Sequence, residues 1–148
     1  MTHQTKRSIP RPEFLGPFEA QQLDLQIRTL RRLNKHACES GDKRHRYSYL
    51  RFAYEYARLW STSPDSEQIA RALGAAKAVS DTGWFIGRIL RLTSRDDRRL
   101  RSKHATALKY AAFKGVSSRN LRSFLRKKGG LNACADRMRR FRKKARAA

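Results

Sequence analysis

Acidic side chains are scarce in this chain. Twelve Asp and Glu stand against 35 Lys and Arg, which leaves a formal charge of +23 on 148 residues. Four of the acids, Asp65, Glu67, Asp96 and Asp97, sit where helices are expected to open, and the positive end of a helix dipole accounts for them there. No carboxylate cluster suits a two-metal nuclease, and neither a GxxxxGKS/T loop nor a GxSxG elbow occurs. The chain is therefore not expected to be an enzyme. Cysteine is rarer still: Cys38 and Cys134 lie far apart, in no CxxC or CxH arrangement. The histidines, His3, His36, His45 and His104, lack metal-ligand spacing, and His36-Ala37-Cys38 has no second pair to complete it. Neither a metal nor another cofactor is expected. The segment MTHQTKRSIPRPEF has no apolar core, so it does not read as a secretory signal. Reduced thiols in a cytoplasmic protein are the expectation. No run approaches the roughly 18 apolar residues of a membrane span.

Proline and glycine are also few, at 4 and 8, which argues against long disorder in the middle of the chain. Pro10, Pro12 and Pro17 crowd the first residues and forbid regular helix there. Residues 1–17 are expected to be a flexible tail made basic by Lys6, Arg7 and Arg11.

What is abundant is helical periodicity. Ala20, Leu23, Ile27, Leu30 and Ala37 place a helix from Phe18 to about Glu39. A second, from about Arg44 to Trp60, carries Tyr49, Phe52, Ala53, Tyr56 and Trp60 on one face and Tyr47, Leu50 and Tyr54 beside it. A helix apolar over so much of its girth belongs at the centre of a small fold. Its tyrosines, interleaved with Arg44, Arg46, Arg51 and Arg58, are alternatively candidates for stacking on bases. Ser63, Pro64, Asp65 and Glu67 form a helix start, and Gly74 a stop. A helix from Ser80 or Asp81 to Leu92 follows. Ser94 and Asp97 are spaced as a capping box for the next one, with Leu100, His104, Leu108 and Ala111 along one side. Gly129-Gly130 ends the helix before it, and Asn132 is positioned to cap the last. Cys134, Met138, Phe141 and Ala145 mark that last helix's apolar face. No strand pattern occurs. The expected fold is an all-α compact bundle of about six or seven helices, one domain over residues 18–148. Within it, residues 18–62 supply the core and a candidate homodimer surface, and residues 63–148 the basic half.

Residues 81–148 hold +17 of the total +23. Such sign asymmetry points to a contact surface for a polyanion, where neutralised phosphates release their counterions. Residues 107–128 resemble the helix-turn-helix pattern. Ala111 is the small residue where two helices cross, Gly115 the turn glycine, and Val116, Leu121 and Phe124 the apolar anchors after it. Lys114 departs from the pattern, which usually has an apolar residue there. The resemblance implies that the second helix enters a DNA major groove by its N-terminal part. Ser117, Ser118, Arg119, Asn120, Arg122 and Arg126 then face base edges, Arg matching guanine and Asn matching adenine in bidentate pairs. Phosphate contacts are expected from Arg98, Arg99, Arg101, Lys103, Lys127, Lys128, Arg137, Arg139, Arg140, Lys143 and Lys144. The segment EQIARALG is a second, weaker candidate for the first helix of such a motif. The expected function is a small DNA-binding protein, a transcriptional regulator, with double-stranded DNA as partner and no membrane. The alternatives are an RNA-binding or ribonucleoprotein accessory protein, and an inhibitor that occupies an acidic or nucleic-acid groove of another protein.

Overall fold

The computed structural model describes residues 17–77, 79 and 81–147. The basic residues expected in the N-terminal tail lie outside them. The architecture is an all-α bundle of seven helices, with no strand among the described residues. The first, α1 (Pro17–Ser40), opens on the proline itself, because the first helical position needs no N–H partner. Its stripe of Leu23, Ile27, Leu30 and Ala37 is buried at three- and four-residue spacing.

The second helix, α2 (Lys43–Thr62), is capped by Asp42, whose side chain accepts from the Arg44 N–H at 2.8 Å. It is the central helix. Tyr49, Leu50, Ala53, Tyr54, Ala57 and Trp60 are buried, and it touches the helices before and after it on several sides. Next comes the short α3 (Ser66–Ala72). It starts later than Ser63 and Pro64 suggest, because those residues close a turn: the Ser63 hydroxyl accepts from the Asp65 N–H and its carbonyl from Ser66. In α4 (Thr82–Thr93), Asp81 is the cap, and Phe85, Ile86, Ile89 and Leu90 are core. That burial leaves α4 no free face of the kind a reading helix needs; α3 rests on α2, and Arg88 of α4 donates to the Leu73 carbonyl at its end.

The fifth helix, α5 (Arg98–Phe113), is capped by Asp97, which accepts from the Leu100 N–H at 2.9 Å. The expected capping box is therefore displaced. Ser94 instead ends α4 and accepts from the Asp96 N–H. Loop 94–97 is tied down from outside: Asn34 Oδ1 accepts from the Arg95 N–H at 2.7 Å, and Arg46 reaches Asp96 at 3.3 Å. After Gly115 and a single 3-10 turn (Ser118–Asn120) come α6 (Leu121–Lys127) and α7 (Leu131–Ala147). Gly130 N–H closes the end of α6 on the Leu125 carbonyl at 2.8 Å. The last helix lies chiefly against α5, and only Cys134 and Ala135 of it are buried. One hydrophobic core runs through both halves of the chain, from Leu23 to Ala135.

Candidate nucleic-acid interface

The turn between α5 and α6 has the features of the helix-turn-helix resemblance. Ala111 and Leu121 are buried, Val116 and Phe124 half-buried, and Gly115 adopts φ +69°. That left-handed backbone is open to glycine at little cost. Lys114 is accommodated outside the core: its Nζ lies 5.8 Å from the Tyr110 ring centroid and 5.6 Å from that of Phe113. The turn is also strapped to α2. The Tyr54 hydroxyl and the Arg58 guanidinium both donate to the Val116 carbonyl.

Beyond the turn, Ser117, Arg119, Asn120, Arg122 and Arg126 are exposed. Ser118 is not available in the same way, since its hydroxyl donates to Glu55 Oε1 at 3.0 Å. The Glu55 carboxylate held there repels anions at this point of the turn. Arg122 lies over the Tyr47 ring at 5.7 Å. Tyr49 and Tyr54 are core residues, and Tyr47 is half-buried under that guanidinium. None of the three presents a free ring for an unpaired base.

The phosphate candidates separate into two groups. Arg98, Arg99, Arg101 and Lys103 occupy the first turns of α5, about four helical turns from Gly115 at the far end. Lys127, Lys128, Arg137, Arg139, Arg140, Lys143 and Lys144 belong to the end of α6 and to α7. Arg139 is engaged with Asp136 at 2.9 Å, and Lys128 lies over the Phe124 ring. Asp136 is the single acid of residues 121–148.

Two concavities flank α7. A groove of about 270 Å³ is lined by Tyr110, Phe113, Lys114, Arg137, Arg140, Phe141 and Lys144. A larger cleft of about 600 Å³ lies between α2, α4, α5 and α7, where Arg58, Lys109 and Arg142 converge with Trp84, Phe113 and Met138. Burial lowers the Lys109 pKa, the neighbouring Arg142 lowers it further, and Asp81 opposes both. Asp81 is the one acid of either lining, and its carboxylate already caps α4 through the Trp84 N–H. Phe113 and Phe141 meet at 4.3 Å between ring centroids, yet keep 51% and 41% of their surface exposed. Neither the Phe pair nor the convergence of Arg58, Lys109 and Arg142 follows from any spacing in the sequence, because their members come from different elements. The one available signal was Phe113 itself, an aromatic next to Lys114 at a helix end.

Among the described residues no group of three His, Cys, Asp or Glu side chains is placed to hold a metal, and no helix is long and apolar enough to cross a membrane. The apolar faces of α1 and α2 are largely spent in the core, leaving Leu25, Phe52 and Leu59 exposed for any homodimer contact. No family model, curated protein or solved structure matches this chain. Fold and surface together define its class: a compact all-α bundle with a strongly cationic C-terminal face.

Proposed function

We propose that the protein binds double-stranded DNA through its C-terminal half and acts as a transcriptional regulator. The observation that carries this reading is the exposed row Arg119, Asn120, Arg122 and Arg126 on the 3-10 turn and α6, joined by the exposed cations of α7, where Lys114 at the end of α5 shares a groove with Arg137, Arg140 and Lys144. A +23 chain repels itself, and a polyanion is the partner that relieves the repulsion. In this reading Lys127, Arg137, Arg140, Lys143 and Lys144 position the DNA on its phosphates. Arg119, Asn120 and Arg122 read base edges, and a cytoplasmic location goes with the role.

The experiment is selection from a random duplex pool at physiological salt, followed by sequencing. An enriched motif is expected. Asn120→Ala should relax one position of it, at a cost of about 1–3 kcal/mol against the matched site. Lys127→Ala with Lys143→Ala should weaken all sequences alike. If both sets of changes act equally on every sequence, base reading by Asn120 is wrong. If no duplex is retained, the DNA assignment falls as a whole.

A further inference from the structure

We propose that the groove between α5 and α7 is a track for unpaired bases, so that the preferred DNA is a duplex running into a single strand. The proposal rests on the DNA reading above and names the substrate class more narrowly.

Exposed aromatic rings are the first observation. Phe113 and Phe141 pack on each other, so their contact already serves the α5–α7 interface. Both keep much of their surface open, 51% and 41%, although the Lys114 Nζ also lies 5.6 Å from the Phe113 ring centroid. Charge is the second. The groove beside them is lined by Lys114, Arg137, Arg140 and Lys144 and by no carboxylate. Phe113 also borders the larger cleft on its other side, where Arg58, Lys109 and Arg142 supply further cations. An aromatic step with cations on both flanks matches the repeat of a nucleic-acid strand, in which each unit brings one π face and one phosphate. Paired bases in a duplex have their faces covered by neighbours, so only an unpaired base can use these rings.

The geometry relative to the reading turn fits the same substrate. Phe113 is the last residue of α5, and the chain turns at Gly115 into Ser117–Asn120. The track thus begins at the same end of α5 from which the chain passes on to Arg119 and Asn120.

The test is fluorescence anisotropy of the full chain with three DNAs: a blunt duplex, the same duplex with a short single-stranded tail, and the tail alone. The tailed duplex is expected to bind roughly tenfold tighter than the blunt one, the usual scale of one good base–aromatic stack. Phe113→Leu with Phe141→Leu keeps an apolar contact between α5 and α7 but removes both π faces. It should erase the preference for the tail and leave blunt-duplex affinity unchanged, whereas Phe113→Trp should retain it. If the double variant does not fold, Phe141→Leu alone carries the test, because that ring sits on a largely exposed stretch of α7. Equal binding of blunt and tailed duplex by the unaltered protein overturns the track and leaves the DNA reading standing. A tail preference that survives the leucine variants also overturns it. Tighter binding of an RNA tail than of the DNA tail overturns the assignment to DNA. Binding to none of the three removes both proposals.

Discussion

His104 is a buried titratable group with a clear preference for its neutral form. It is 3% exposed, its Nε2 lies 3.5 Å from Arg46 Nη1, and its Nδ1 lies 3.7 Å from Asp96 Oδ2. Arg46 can only donate, so Nε2 accepts and the ring proton sits on Nδ1, facing Asp96. Burial pulls its pKa from the ordinary 6.5 down to about 4, helped by Arg46 and Lys103, while Asp96 acts in the opposite direction. An unfolded chain takes up this proton first, as pH falls through 6.5. Stability contributed by the neutral ring is therefore complete above pH 6.5, drains away between 6.5 and about 4, and is gone below. The size is on the order of 3 kcal/mol. Urea unfolding at several pH values should show this acid limb in the natural protein and a shallower one in His104→Gln. Parallel curves would mean that His104 titrates normally in the folded state. No motif marks His104 for this role, since Asp96 and Arg46 reach it from another loop and another helix.

At the level of elements, much was legible in the sequence because single helices obey local rules. The periodicity of Leu23, Ile27 and Leu30 and the start signal at Asp81 describe α1 and α4 well. Errors occurred where two residues compete for one cap. Ser94 has the right spacing to Asp97, but its hydroxyl is taken by the Asp96 N–H and Asp97 caps α5 itself. Long-range ties were not legible at all: nothing in the spacing says that Glu55 holds Ser118, or that Tyr54 and Arg58 hold the Val116 carbonyl. Those ties make the α5–α6 turn rigid, and Gly115 is the joint that lets it form. A Cβ at Gly115 meets nothing within 4 Å, so the penalty of Gly115→Ala is backbone strain at φ +69° alone. The expected loss is about 1 kcal/mol, read as a lower urea midpoint with unchanged slope. A loss several times larger would show that the turn is packed more tightly than its open surroundings indicate.

Over the whole molecule, the same charge has opposite consequences for folding and for binding. Like charges at +23 push the compact chain apart, so salt that screens them should raise the thermal midpoint of the free protein. DNA affinity depends on those charges in the reverse sense, because each phosphate contact releases a counterion into the salt. Lys127 of α6 and Arg137, Arg140, Lys143 and Lys144 of α7 are exposed. If all five reach phosphate, log affinity should fall against log salt with a slope of about 4 to 5. Adding duplex DNA at low salt should raise the midpoint further than salt alone does, since bound phosphates neutralise the face directly. The two trends have to cross: at high salt the free protein is at its most stable and DNA no longer protects it. Melting curves over a salt series, with and without duplex, show both at once. A midpoint insensitive to salt would place the charges too far apart to matter for folding. A slope near 1 would mean that α7 lies away from the DNA, with only the 3-10 turn and α6 in contact.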